Sequence, residues 1–219
     1  MNIEKTLNDI EKEVVEIFKT DSSGHDIHHL KRTKNLALHI QKTEGGNREI
    51  IAIAAMVHDI HRILSKKGEY CAPKQSLPTV QKVLEKVDLD FDKIKKVLHC
   101  VEFHEEYGFT PKGKTVEDIE TLILQDADNL DAIGAIGIGR CFSFCGANGI
   151  PMWVPEIPFE KKDFDESIYD PSALHHFHSK LLKLKDNMNT ETGKQMALER
   201  HEFIERFIKE FISEWKGEK

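Results

Sequence analysis

Several absences narrow what this chain can do. Its 219 residues hold no apolar run near the length that crosses a bilayer, so no membrane segment is expected. There is no Gly-x-x-x-x-Gly-Lys phosphate loop, no Gly-x-Ser-x-Gly turn and no Cys-x-x-Cys pair. Those gaps argue against P-loop nucleotide binding, serine-hydrolase chemistry and thioredoxin-like redox chemistry. The four cysteines, Cys71, Cys100, Cys141 and Cys145, follow no disulfide framework and no zinc-ligand spacing, so buried free thiols in a reducing cytoplasm are expected. Positive charge is not in excess either: 31 Lys and Arg face 38 Asp and Glu, for a net charge of −7, and the basic residues are scattered. A duplex nucleic-acid binder is thereby disfavoured, whereas a small phosphorylated ligand in a local basic pocket is not. The N-terminal stretch MNIEKTLNDIEKEVVEIF is acidic and amphipathic, unlike a signal or transit peptide.

Strand signals are missing as well, and helical ones are plentiful. Ile3, Leu7, Ile10, Val14, Ile17 and Phe18 mark an amphipathic helix over residues 2–19. A second helix is expected from Asp26 to Thr43, stopped by Gly45-Gly46, with capping candidates in Asp21-Ser22-Ser23-Gly24. Asn47 can cap a third, which should run to about Ser65, followed by a loop to Gln75. Ser76 with Pro78 reads as the next start, ending near Val87, and Asp90 opens a helix towards His104 and Glu105. After a loop at 108–114, Thr115 and Asp118 are shaped like a capping box for a helix over 116–132, which leads into an apolar segment ending at Gly146. Residues 146–171 carry four of the seven prolines together with Met152, Trp153, Val154, Ile157 and Phe159, a pattern that suits a lid or an oligomer contact, the latter in a homodimer. Helices over 172–186 and 190–215 close the chain. The expectation is a single all-α helical-bundle domain spanning 1–219, with a core at about 22–135, a loop at 146–171 and C-terminal helices at 172–219.

Histidine is the one compositional excess, with 12 copies, several near other metal-ligand types. In IAIAAMVHDIHR, His58 and Asp59 interrupt a core helix. Alone, that dyad reads as a satisfied pair in the core or as a helix end just emerging into solvent. Three other places offer partners: His25, Asp26, His28, His29 and Arg32 in HDIHHLKR; Asp126, Asp128 and Asp131 in QDADNLD; and His99, Glu102 and His104 in HCVEFHEE. One histidine from the second helix, the His58-Asp59 pair and one aspartate from QDADNLD would make a His2Asp2 set. Two carboxylates neutralise a divalent ion, two octahedral positions stay open, and the donor set suits manganese, iron, cobalt or nickel better than magnesium.

The order His29…His58-Asp59…Asp128 resembles the HD-domain superfamily of metal-dependent phosphohydrolases. His25-Asp26…His29…Arg32, the segment QDADNLDAIG and the tail HFHSKLLKLKDNMNTETG resemble its small single-domain bacterial branch, the YpgQ/YedJ-like group. The resemblance implies His29, His58, Asp59 and Asp128 as metal ligands, with Asp128 preferred to Asp126, and His25 and Asp26 as groups that orient ligands or water. Manganese is the first expectation among the divalent ions, with iron, cobalt, nickel or magnesium behind it. The resemblance also places His104 near the metal, where it could bind phosphate, move a proton or reach a second metal, so that Asp59, His104 and Arg62 are the catalytic candidates. Arg62 stands where related branches carry lysine or glutamate; a guanidinium cannot act as a general acid, and a phosphate contact suits it better. Arg32, Arg62, Lys180 and Lys183 are the candidate substrate cations, and Thr190 opens a helix whose N-terminus could hold an anion. His175, His176 and His178 are expected to be structural or exposed. The implied activity is hydrolysis of a nucleoside triphosphate to monophosphate and pyrophosphate. The alternatives are another nucleotide (a guanosine alarmone, a cyclic nucleotide or a monophosphate), or a sensor that holds metal and nucleotide without turnover.

Overall fold

Ile50 to Val57 contains no polar residue, and a helix without a polar face must be covered on every side. In the computed structural model of the chain all eight of these residues are fully buried. The structure describes residues 3–64, 70–87, 89–159, 165 and 167–219, and no strand occurs among them. The helices are α1 (Ile3–Phe18), α2 (Ile27–Glu44), α3 (Arg48–Val57), α4 (Ile60–Leu64), α5 (Pro73–Glu85), α6 (Phe91–Phe103), α7 (Ile119–Asp131), α8 (Gly134–Asn148), α9 (Ala173–Ser179) and α10 (Glu191–Trp215), with a 3-10 segment at Leu181–Asn187 before the last.

Two apolar clusters divide the interior. One gathers α1, α5 and α6 around α3, through Ile10, Phe18, Leu84, Val97 and Val101. The other packs α8, α9 and α10 against α7, through Cys141, Phe177, Ala197 and Ile204. Helices α2, α3 and α7 feed both clusters, with Leu30 and Ala37, Ile53 and Ile51, and Leu124 and Ala127 on opposite sides. Polar residues on these three helices therefore meet at the seam.

Several boundaries differ from the sequence reading, each for a local reason. The third helix does not run to Ser65: it ends at Val57, and α4 begins only after the His58-Asp59 turn. His58 Nδ1 takes the Ala55 carbonyl at 2.9 Å, a side chain competing for a helical acceptor. Helix α5 starts three residues before Ser76, with Pro73 at its first position and the Gln75 side chain accepting from the Ala72 N–H at 2.8 Å. Pro78 lies within the helix, on its exposed side. Thr115 forms no box with Asp118. Asp118 alone caps α7, while Thr115 donates its N–H and hydroxyl to Glu106. Asp26, rather than the Asp21–Gly24 turn, caps α2, accepting from the His29 N–H at 2.9 Å.

The helix expected over 172–186 is α9 followed by the 3-10 segment. Of the proline-rich connection, 160–164 and 166 lie outside the described residues, as do 65–69 of the expected 65–75 loop. Its start is tied down: Ala173 and Leu174 donate N–H to the Pro151 and Met152 carbonyls, and Trp153 packs against Phe159 and Trp215.

Candidate metal centre and its cleft

His29 projects from the first turn of α2 into the seam and is fully buried. Its Nδ1 lies 2.8 Å from Asp131 Oδ2. His58 sets its Nδ1 against the Ala55 carbonyl. A carbonyl or a carboxylate can only accept, so both rings donate from Nδ1 and present a bare Nε2 lone pair. Those two Nε2 atoms face each other at 3.2 Å. Asp59 Oδ2 is 3.1 Å from His29 Nε2, and Asp128 Oδ1 lies 3.4 Å from His29 Nε2 and 3.8 Å from His58 Nε2. In that tautomer four acceptors converge in a buried space, and the buried Asp59 Oδ2 has no hydrogen-bond donor. Such an arrangement favours positive charge, and His29, His58 and Asp59 offer ligand atoms close enough together to hold one ion, with Asp128 beside them.

The electrostatics agree. Burial alone would push the Asp59 and Asp128 carboxyls up, but the surrounding imidazoles, His58 first among them, hold both well below the usual carboxylate range. Burial would push His104 down, yet Asp59, Glu105 and Asp128 draw it up. The centre keeps its carboxylates ionised and attracts cations.

The three acids of QDADNLD separate cleanly by direction. Asp128 faces His29 and His58. Asp131 lies behind it: besides His29, it takes Arg32 Nε at 2.8 Å and Nη2 at 3.0 Å, with Arg140 Nη1 at 3.1 Å. Asp126 points away into the start of α10, accepting from the Asn189 N–H at 2.7 Å, the Thr190 N–H at 2.8 Å and the Thr190 hydroxyl at 2.7 Å. The helix N-terminus offered by Thr190 is thus filled by the chain's own carboxylate and is closed to a substrate anion. Gly193 leaves room for that carboxylate, since a Cβ there would collide with it. Asp126→Ala should therefore cost about 3 kcal/mol of stability by stranding buried donors, while metal stoichiometry stays unchanged. Urea denaturation beside elemental analysis checks both halves.

A cleft of about 990 Å3, open mouth included, has Asp59 and Asp128 on its wall. Arg62 and Lys180 also line it. Arg62 is ion-paired with Glu105 and has its Nε 3.8 Å from Asp59 Oδ1, while Lys180 sits 4.5 Å above the Tyr107 ring. Two of the candidate cations do not reach the lining. Arg32 is committed to Asp131, and Lys183 lies over Phe109 at 5.5 Å. His25 does line the cleft, with its ring 5.8 Å from that of His29, and burial pushes its imidazole well below the usual range.

Sequence reasoning missed four contributors. Arg140 lines the cleft and braces Asp131; its signal was a lone arginine in the small and apolar run GAIGIGRCF. His61 and Glu105 flank the His58-Asp59 turn, with His61 Nε2 3.4 Å from Glu105 Oε1. His176, expected to be structural or exposed, lines the cleft with Asp170, to which its Nδ1 donates at 2.9 Å. With Ile168 and Tyr169, Asp170 makes the end of the proline-rich connection a wall of the cleft.

Comparison with known proteins identifies relatives of this chain. The HD-domain family profile matches residues 26–133, which include all four residues of the acceptor cluster. The YpgQ protein of Bacillus subtilis (strain 168) is 34% identical over 207 residues, covering 93% of this chain and 91% of that protein. Among solved structures, an HD-superfamily hydrolase from Bacillus thuringiensis superposes with a TM-score of 0.72 at 35% identity, covering 98% of this chain and 99% of that one. B. subtilis YpgQ in complex with ADP superposes with a TM-score of 0.71 at 31% identity, covering 95% and 97%.

Proposed function

The chain belongs to the HD-domain superfamily of hydrolases, and on that premise we propose that it is a divalent-metal-dependent phosphohydrolase that cleaves a nucleoside triphosphate to the monophosphate and pyrophosphate. The observation that carries this reading is the cluster of four bare acceptors, His29, His58, Asp59 and Asp128, at a cleft that also holds Arg62, Arg140 and Lys180. Those four residues would hold the ion, with manganese the best match to the donor set. When bound, the ion would polarise a phosphoryl oxygen and lower the pKa of a coordinated water.

The remaining work belongs to side chains. Arg62 and Lys180 supply fixed positive charge on the cleft wall, which a triphosphate needs because the metal-carboxylate centre is itself near neutral. Asp131 and the Ala55 carbonyl hold His29 and His58 in the tautomer that turns Nε2 inward. Tyr107, Phe144 and Tyr169 give the outer cleft apolar surface for a base. The ADP complex of YpgQ shows that a relative with this fold takes a nucleotide, and it supports a nucleotide here.

Product analysis tests the reading. Manganese-loaded protein should release pyrophosphate and monophosphate from a nucleoside triphosphate. Orthophosphate release would move the cleavage to another bond or another nucleotide class. Silence on all nucleotides with manganese, cobalt and nickel would leave a non-catalytic binding protein.

A further inference from the structure

One pair of reactive side chains in the cleft has no part in the proposed hydrolysis. Cys141 and Cys145 stand one turn apart on α8, both free thiols, both nearly enclosed, and both on the cleft wall. The Cys141 thiol is in hydrogen-bond contact with the Cys145 sulfur, and the Ala173 carbonyl, 3.9 Å from Cys141 Sγ, is its other acceptor. Phe144, beside Cys145 in the chain, sets its ring edge-on to Tyr169 at 5.7 Å and to His25 at 5.9 Å. All three rings line the cleft with the two sulfurs.

We propose that Cys141 and Cys145 form a site for a soft, two-coordinate cation of the copper(I) class, and that an ion held there obstructs the nucleotide cleft. Geometry decides among the uses of a dithiol. A disulfide requires Cβ atoms about 3.5–4.5 Å apart, whereas residues four apart on a helix place them at about 5–6 Å, so closing the bond would distort α8. A single atom between the sulfurs spans that separation. Zinc takes four donors, and no third histidine, cysteine or carboxylate atom joins the pair within 4.8 Å among the described residues. Copper(I) is content with two soft donors, and thiolates select it.

The thiolate is the ligand form. Contact with Cys141 draws the Cys145 thiol below its ordinary range, while the same contact, with burial, pushes Cys141 up. Cys145 is therefore the sulfur that meets the ion first, and Cys141 gives up its proton as the second sulfur binds. The exchange breaks two S–H bonds, forms two S–Cu bonds and releases two protons. One cation on two thiolates leaves one negative charge, and Arg140 and Lys180 supply positive charge on the same cleft. The sulfurs lie beside Phe144, part of the apolar surface assigned above to a base, so ion and nucleotide compete for that space. This second half rests on the nucleotide reading; the site itself does not.

Anaerobic titration of the full chain with copper(I), against a chromogenic copper(I) chelator and with manganese present throughout, tests the site without any nucleotide. Wild type should hold one copper(I) per chain, and X-ray absorption should show two sulfur neighbours. The absorption measurement needs no variant, so a misfolded mutant cannot obscure it. Cys141→Ser or Cys145→Ser should weaken uptake by about a hundredfold or more, since one sulfur loses the advantage of two linked donors, while Cys71→Ser changes nothing. Calorimetry with ADP should show its affinity falling by at least about tenfold once one equivalent of copper(I) is bound to wild type, and not in Cys145→Ser. Copper(I) not retained by wild type, or uptake that ignores both serine substitutions, overturns the site. Copper(I) held on two sulfurs with ADP affinity unmoved overturns the obstruction alone. Absence of ADP binding in copper-free protein overturns the nucleotide reading and the obstruction with it, while the sulfur site stands on its own uptake.

Discussion

Replacing Asp128 with alanine should abolish tight metal binding and lower turnover by about a thousandfold or more, because the lost carboxylate would take both a proposed ligand and half of the neutralising charge from the cluster of His29, His58, Asp59 and Asp128. The chain should remain folded. Asp128 is packed against two imidazole lone pairs and belongs to a cluster in which acceptors oppose acceptors. Without metal, that crowding opposes folding, so in chelator the variant should melt at or above the wild-type temperature. Adding manganese reverses the order. At free ion about a hundredfold above its Kd, wild type gains about 2.7 kcal/mol. For a chain of this length that corresponds to about 5–10 °C in melting temperature, and the variant gains almost none of it. Calorimetry with and without chelator, beside elemental analysis, reads both. Unchanged metal content in Asp128→Ala would remove it from the ligand set.

The same residue shows how far the amino-acid pattern reaches. Helical periodicity and caps at Asn47, Asp90 and Thr190 are local properties, so most elements were legible. Three acids spaced over six residues of an apolar helix announce that some turn inward, but spacing alone does not say towards what. Asp126, Asp128 and Asp131 each face different neighbours: the start of α10, the metal cluster, and the Arg32–Arg140 pair. Those neighbours come from residues far apart in the chain, so the division is a property of packing rather than of the segment. The interruption at His58-Asp59 was hidden for a related reason. Nothing in IAIAAMVHDIHR stops a helix, and the break comes from a ring nitrogen bonding a backbone carbonyl. Arg62 was visible as a departure from related sequences, but its partner Glu105 lies 43 residues away.

Asp131→Asn should have the second large effect, weakening metal binding by about 10- to 100-fold and stability by about 3 kcal/mol. The native carboxylate accepts from His29 Nδ1, from two nitrogens of Arg32, and lies 3.1 Å from Arg140 Nη1. An amide keeps one acceptor and turns an NH2 towards a ring of donors. If that NH2 faces His29, the ring must move its proton to Nε2, and an N–H then points into the metal cluster in place of a lone pair. If it faces the arginines, a largely enclosed Arg140 loses its counter-charge.

The pH dependence follows from the sign of the shift. Burial alone would push the Asp131 carboxyl up, but His29 and Arg32, helped by Arg140, hold it far below the ordinary range. A carboxyl depressed in the folded state contributes stability above its unfolded pKa of about 3.9 and loses it as pH falls through the folded value. The stability gap between wild type and Asp131→Asn should therefore be flat above about pH 5 and close only in stronger acid. Arg32→Lys provides the contrast. It preserves the charge and one donor but not the two-nitrogen grip, so it should lose stability while leaving the His29 tautomer, and hence metal affinity, nearly intact. Were Asp131→Asn to behave the same way, with stability lost and metal affinity kept, Asp131 would merely fasten α2 to α7. A loss of both makes it the group that turns His29 towards the metal.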